Sequence, residues 1–361
     1  MVAGEGLFDN GTVVNQARAC EAKRALSALA AAGLSPADVQ QEAIDVVGKV
    51  VPYDATCWAA VDPQTMLPTG SVTVDLNPSK QQEALFAEIE YGPSDGNSFA
   101  DLARRQVPIG RLSDLPFGEV VRSRRFNELY KSIGVAFDLR ASFVSDGACW
   151  GIAGLMRGPG GPDFSTAEAD FLTSAAPLIG IALRTANRSR MPGTSAGSGG
   201  PVVIVLGAGG EFKGATPAAL EWLEAWQATR PGWLDVALQA VAATLSGSPT
   251  GTAYARMRDI SGTWVALRAA QLMALDSPAE RVLITVEPVP ADEVIGIMLT
   301  SYALTARERE VCEEVLTGRS TAEIADRLYL SAYTVQDYLK SIFTKVGVRS
   351  RNQLLSRLHG S

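Results

Sequence analysis

The sequence predicts a multidomain protein in which two mixed α+β domains precede a small all-α domain. The chain has 361 residues, more than twice the usual length of one domain. A stretch rich in Gly, Ser and Pro interrupts it at residues 188–201 and is typical of a linker. Beyond residue 300 the strand-like segments end, and short helical patterns follow one another closely.

The composition is that of a globular protein. Hydrophobic residues make up 47% of the chain and charged residues 20%, which excludes a disordered chain or a fibre. There is no uncharged apolar run long enough for a membrane helix, and the first ten residues lack the basic start and apolar stretch of a signal peptide. We therefore expect a cytoplasmic protein with no membrane partner.

Cysteine and histidine usage argues against several kinds of chemistry. Cys20, Cys57, Cys149 and Cys312 are far apart and form no CxxC pair, which disfavours a zinc ribbon or a disulfide framework and predicts buried, inert thiols. The single histidine, His359, leaves a catalytic triad or an imidazole metal site poorly supplied. We expect no metal, no cofactor and no enzymatic activity.

The formal net charge of −7 is unevenly distributed along the chain. Residues 301–361 contain nine Lys or Arg against seven Asp or Glu, a balance of +2 that leaves −9 on residues 1–300. No acidic residue follows Asp337, whereas basic residues continue to Arg357. An acidic body with a basic end is compatible with a nucleic-acid partner that binds near the carboxyl terminus.

The first region alternates helical and strand-like segments. Residues 35–49 read as a helix capped by Ser35, after a first helical segment at 14–32. Two strands at 140–145 and 147–157 flank a short Asp-Gly turn, which predicts a hairpin. Ser165 and Glu168 form a capping-box pattern that opens another helix.

This region resembles a GAF domain, a sensor fold with a central antiparallel sheet. The resemblance rests on the Trp150-Gly151 strand, the loop at 158–162 and the Phe164-Ser165 helix start. It implies a GAF-like domain over 1–187, with 188–201 as the linker that follows. The motif is too diffuse to transfer ligand-binding residues, so these stay unknown.

The second region begins with a strand and a glycine-rich turn at 202–213. The turn has two of the three glycines of a dinucleotide fingerprint, but Phe212 stands in place of the third, so a hairpin is favoured over a nucleotide site. Three later strand-like segments complete a pattern that resembles a PAS-like module over 202–290. Its tryptophans are candidates either for a ligand cavity or, more commonly, for plain core: Trp222, Trp226, Trp233 and Trp264.

The third region predicts three short helices and a closing one. Thr305 with Glu308 and Ser320 with Glu323 are capping boxes, and Ser331 is placed to cap the next helix. Segments 321–328 and 332–346 are separated by about three residues, which is the helix-turn-helix arrangement. The second helix of such a pair enters the major groove, so its exposed polar side chains are candidate base readers: Gln336, Asp337 and Lys340.

Residues 300–361 are identified as a LuxR/GerE-type DNA-binding domain. The matching motifs are Leu304-Thr305-x-Arg307-Glu308, Ile324-Ala325-x-x-Leu328, Ser331-x-x-Thr334-Val335 and Lys345-x-Gly347-Val348-x-Ser350-Arg351. The resemblance implies that Gln336, Asp337 and Lys340 read bases, that Thr334 and Lys345 contact phosphates, and that the last helix forms a dimer contact through Leu354, Leu355 and Leu358. Tyr338 departs from the family, which commonly has histidine at this position. The hydrogen bond that the histidine would make is therefore in doubt.

We therefore expect a sequence-specific transcriptional regulator whose sensor-like body controls DNA binding or dimerisation. Its expected partners are double-stranded DNA and a second copy of the chain, with a small-molecule ligand of the sensor domains left open. The alternative is a nucleotide- or small-molecule-binding sensor, or an enzyme, whose C-terminal helices bind a protein partner.

Overall fold

A computed structural model describes residues 16–92, 98–188, 200–273 and 281–359. The chain divides into two compact units, Met1–Pro288 and Val289–Ser361. The first unit contains two five-stranded antiparallel sheets, and the second is all-helical. This agrees with the predicted multidomain class of two sheet-containing regions followed by an all-α region.

The first sheet is built from residues 55–157 and has the strand order β2-β1-β5-β4-β3. Its strands are β1 (Ala55–Val61), β2 (Pro68–Val74), β3 (Ile109–Arg111), β4 (Phe137–Ser145) and β5 (Ala148–Arg157). The accompanying helices are α1 (Gln16–Leu29), α2 (Pro36–Gly48), α3 (Lys80–Tyr91), α4 (Phe99–Ala103), α5 (Phe117–Arg122) and α6 (Thr166–Ala186).

Both faces of this sheet are covered, because side chains that alternate along a strand contribute to two separate clusters. Trp58 and Leu155 pack with α1, α2 and α6 in the largest hydrophobic cluster. Ile152 on the opposite face of β5 belongs to a different cluster. The predicted β4–β5 hairpin is confirmed, and Asp146 in its turn has a φ of 50°.

The second sheet has the order β7-β6-β10-β9-β8, which is the order of the first sheet when each set of strands is counted from its own start. Its elements are β6 (Val202–Gly207), β7 (Phe212–Ala215), α7 (Pro217–Thr229), α8 (Asp235–Ala243), β8 (Thr252–Arg258), β9 (Trp264–Leu272) and β10 (Arg281–Pro288). The glycine-rich turn joins β6 to β7 as a hairpin, as predicted. Within it the Glu211 carboxylate accepts from the Gly209 N–H at 3.1 Å, so the chain's own negative charge occupies a donor that a phosphate would need.

A buried ion pair connects the two sheets. Arg256 in β8 donates from Nε and Nη2 to the two carboxylate oxygens of Asp62, at 2.9 and 2.8 Å, and Nη2 also reaches Gln64 Oε1 at 2.7 Å. The side chains of the pair are 3% and 1% exposed. Beside it Trp233 lies so close to Gly70 that a Cβ at that position would overlap its indole. The two sheet regions therefore share one continuous interior.

The second unit consists of α9 (Ala291–Ser301), α10 (Ala306–Leu316), α11 (Thr321–Arg327), α12 (Ala332–Val346) and α13 (Arg351–His359). Both predicted capping boxes are present, and the side chain of Ser331 accepts from the Thr334 N–H. Gly318 after α10 and Gly347 after α12 have φ values of 87° and 73°, the left-handed conformation that ends a helix. The three predicted helices and their boundaries are thus confirmed to within a residue or two.

Two further expectations concern the linker and the cysteines. The predicted linker at 188–201 lies almost entirely outside the described residues. The expectation of buried thiols holds for Cys149 and Cys312 and in part for Cys57, which is half-buried. It is wrong for Cys20, which is exposed on α1 because its position falls on the solvent side of that helix, away from Ala22 and Leu26. No helix in the described part of the chain is long and apolar enough to cross a membrane.

The Asp62–Arg256 pair supplies a stability prediction. Asp62→Ala removes a carboxylate that accepts two hydrogen bonds from a buried guanidinium, so we expect the free energy of unfolding to fall by about 3–5 kcal/mol. Urea titration followed by circular dichroism measures this loss. Glu211→Ala, which breaks an exposed ion pair with Lys213, is the control and should lower the free energy of unfolding far less. Equal effects of the two variants would contradict the role of the buried pair.

Candidate nucleic-acid interface

Helix α12 has one buried face and one exposed face. Its apolar residues at 335, 339, 342 and 346 recur at helical spacing and are buried in the core of the second unit. Val311 and Cys312 of α10 and Ile324 of α11 lie in the same cluster, which packs α12 against both preceding helices. The exposed face is thereby presented outward from the domain.

The three predicted base readers lie on this exposed face. Gln336, Asp337 and Lys340 are exposed and come within the first nine residues of the helix. Lys340 Nζ lies 3.1 Å from Asp337 Oδ1, with the two side chains 73% and 49% exposed. The structure therefore brings the three residues together, and Asp337 partly neutralises Lys340.

A single carboxylate connects the first turn of α10 to the last turns of α12. Glu308 Oε2 accepts from the Thr305 N–H at 2.7 Å and from Lys345 Nζ at 2.6 Å, and Oε1 accepts from the Ser341 hydroxyl at 2.5 Å. Burial alone would raise the pKa of Glu308, but the hydrogen bonds from Lys345, Ser341 and Thr305 outweigh it and lower the pKa to about 2. The carboxylate therefore stays ionised at any ordinary pH.

The two predicted phosphate contacts have intramolecular partners. The Lys345 side chain is one-third exposed and its ammonium is held by Glu308, with a further hydrogen bond to the Ala303 carbonyl at 3.3 Å. The Thr334 hydroxyl lies 2.8 Å from the Ser331 hydroxyl at the start of α12. Both residues flank the exposed face, and both also hold the helix in position.

The predicted dimer residues on α13 fall into two groups. Leu354 and Leu358 are 0% and 3% exposed, because they are packed inside the core of their own unit. Leu355 is only partly buried. Helix α9 also packs against α13. A contact between two copies through α13 would therefore use Leu355 and its outward neighbours, since the other two leucines are already covered.

Two exposed aromatic residues near the start of α12 were missed by the sequence analysis. Tyr329 and Tyr333 are 95% and 72% exposed, whereas Tyr338 is half-buried and packs against the core. Only polar and charged side chains were expected to contact bases. The spacing of Tyr333 from residues 336, 337 and 340 was the signal that could have revealed it.

The first unit carries an apolar groove between β7, α7 and the start of α8, with a volume of about 530 Å³. Its walls include Trp226 and Trp233, two of the four candidate cavity tryptophans. Leu220 is 52% exposed and Phe212 is 45% exposed at this site. The remaining lining residues are Lys213, Gly214, Ala215, Leu223, Glu224, Gln227, Arg230, Gly232, Leu234 and Asp235.

The ionisation of Glu308 supplies a pH prediction. Its pKa falls from an ordinary 4.5 to about 2 on folding, so its contribution is complete above pH 4.5 and is lost as the pH falls towards 2. We expect the free energy of unfolding of the second unit to fall by about 3 kcal/mol over this range. Thermal unfolding of the wild type and Glu308→Gln from pH 7 to pH 2 measures it, and the difference in unfolding free energy between the two proteins should narrow on acidification. A gap that stays constant would contradict the prediction.

Comparisons with known proteins place the second unit in a family. The model of the GerE family, described as bacterial regulatory proteins of the luxR family, matches residues 302–358. The probable HTH-type transcriptional regulator GfsR of Streptomyces halstedii is 45% identical over 60 residues, which cover 17% of this chain and 25% of that regulator.

The spore germination protein GerE of Bacillus subtilis is 40% identical over 55 residues, which cover 15% of this chain and 74% of GerE. A crystal structure of Escherichia coli SdiA aligns over 94% of this chain and 95% of SdiA, but at 10% identity and a TM-score of 0.32 it supports no statement about the fold. The chain spans a quarter of GfsR and about three quarters of GerE. On its C-terminal domain, the chain belongs to the LuxR family of bacterial regulatory proteins.

Proposed function

We propose that the protein is a transcriptional regulator that binds double-stranded DNA in a sequence-specific manner. The observation that carries this proposal is the exposed face of α12, where Gln336, Asp337 and Lys340 lie opposite a fully buried apolar face. A helix of this shape fits the major groove, which is about 12 Å wide. Catalysis has no part in this proposal.

The proposed roles follow from hydrogen-bonding chemistry. Gln336 pairs with adenine, and Lys340 donates to the O6 and N7 atoms of guanine. Asp337 either accepts from the amino group of cytosine or orients Lys340, to which it is already joined. Thr334 and Lys345 contact phosphates, and Lys345 would then share its ammonium between the phosphate and Glu308.

We further propose that two copies act on a two-fold-related site, with Leu355 on the outward side of α13 at their contact. The two sheet regions form the sensor body, with a GAF-like domain at 1–187, a linker at 188–201 and a PAS-like domain at 202–290, ahead of the DNA-binding domain at 300–361. Their shared antiparallel strand order supports the relation between the two sensor domains. This body controls DNA binding or dimerisation.

Selection of duplexes from a randomised pool by the full-length protein tests the proposal. Enrichment of a two-fold-related motif is expected, and the absence of any motif with both the full chain and residues 289–361 would overturn it. On the enriched motif, Lys340→Ala should weaken binding by about 1–3 kcal/mol and relax the preference at one position. Lys131→Ala is the control, because it removes one exposed positive charge from the first unit, outside the lining of the groove, and should leave DNA affinity unchanged.

We also propose that the groove beside α7 is the site for a small, largely apolar ligand. Its volume lies within the range of small-molecule sites, and its walls combine aromatic residues with a few polar ones. The residues that line it also hold the two sheets together: Arg230 bonds to Asp38 of α2 at 3.2 Å, and Asp235 pairs with Lys80 of α3 at 2.6 Å. A ligand in the groove would therefore act directly on those contacts.

The fluorescence of anilinonaphthalene sulfonate, an apolar aromatic anion, measures this site. Leu220→Asp puts a negative charge at the groove, which repels the sulfonate, and should weaken binding of the probe about tenfold, which corresponds to about 1.4 kcal/mol. Val121→Asp is the matched control, because Val121 is 53% exposed, lies outside the groove lining and is also apolar. The ligand site would be ruled out if the two variants bound the probe as well as the wild type does.

A further inference from the structure

Two tyrosines, one in the turn before α12 and one in its first turn, are largely exposed. Tyr329 is 95% exposed and Tyr333 is 72% exposed. Tyr329 also has a φ of 55°, a left-handed conformation that residues with a Cβ rarely adopt and that glycine would adopt without strain. A large aromatic residue kept in a strained, fully exposed turn points to a role outside the folding of the domain.

The position of Tyr333 on α12 indicates what that role is. Residues 333, 336, 337 and 340 follow the spacing i, i+3, i+4 and i+7, which places them on one face of the helix. Tyr333 is the first residue of this stripe, in the N-terminal half of the helix that reaches base edges. Tyr329 precedes it by four residues, in the turn between α11 and α12.

The chemistry of the stripe leaves one feature of the major groove unread. Gln336, Asp337 and Lys340 offer hydrogen bonds, whereas the 5-methyl group of thymine is recognised by apolar contact. An aromatic ring supplies that contact, and it does so without adding charge. We propose that Tyr333 is a fourth base-reading residue that packs on a thymine methyl group, and that Tyr329 packs on a neighbouring deoxyribose.

This inference rests on the proposed function, and the following experiment separates the two. In the motif selected by the full-length wild type, each thymidine is replaced in turn by deoxyuridine, which removes only the methyl group. At one position of each half-site the wild type should lose about fourfold in affinity, the effect of leaving one methyl group in water. Tyr333→Ala should bind both duplexes equally, and Tyr333→Phe should keep the wild-type difference.

The second arm tests Tyr329. Tyr329→Gly relieves the left-handed conformation, so its melting temperature should equal or exceed that of the wild type while affinity falls alike for every sequence. Phe117→Ala is the control, because Phe117 is 83% exposed in the first unit and its removal should change neither quantity. A Tyr329→Gly variant with full DNA affinity would overturn the role of Tyr329.

The outcomes are distinguishable. If neither the full-length wild type nor residues 289–361 select a motif, the proposed function and this inference fail together. If a motif is selected but every deoxyuridine duplex binds like its thymidine parent, Tyr333 reads no methyl group and only this inference fails. If the methyl effect persists in Tyr333→Ala, another residue is responsible and the role of Tyr333 is equally overturned.

Discussion

The orientation of the exposed face of α12 depends on one buried carboxylate. Glu308 completes the cap of α10 and also binds Lys345 and Ser341 near the far end of α12, so the same group fixes the beginning of one helix and the position of another. A carboxylate that is 4% exposed loses most of its hydration, and it remains ionised because three donors replace the lost water. The exposed stripe faces outward because this group and the apolar face behind it admit one orientation of the helix.

A second buried charge pair has a comparable role in the first unit. The Asp62–Arg256 pair joins the two sheets, and its two residues are 194 positions apart in the sequence. The hydrophobic interior around it is continuous across both sheets. Trp233 and Asp235 belong both to this junction and to the groove beside α7. Any molecule that displaced either residue would therefore disturb the contacts of α3 and β2. Binding in the groove would in this way change how the two sheets pack against each other.

The sequence predicts those features of the fold whose chemistry is local. The capping boxes at Thr305, Ser165 and Ser320, and the glycine that ends α12, each involve residues within four positions of one another, so spacing alone identifies them. The bonds of Glu308 to Lys345 and of Asp62 to Arg256 span 37 and 194 residues, and no local pattern records such partners. Leu354 and Leu358 illustrate the same limit, because apolar spacing on α13 cannot tell whether the covering surface belongs to the same chain or to another.

Under the proposed roles, different residues determine the affinity for DNA and the sequence specificity. Asp337 and Lys340 carry opposite charges, and Gln336 and Tyr333 carry none, so the stripe that is proposed to contact the bases has no net charge. Non-specific attraction to DNA comes from cations that contact phosphates. Under the proposed roles it comes from basic residues outside the stripe, among them Lys345 and the arginines that follow it in a segment with no acidic residue. The same proposal assigns the dependence of binding on salt to the edges of α12 and the choice of sequence to its centre, where hydrogen bonds and apolar contacts discriminate between bases.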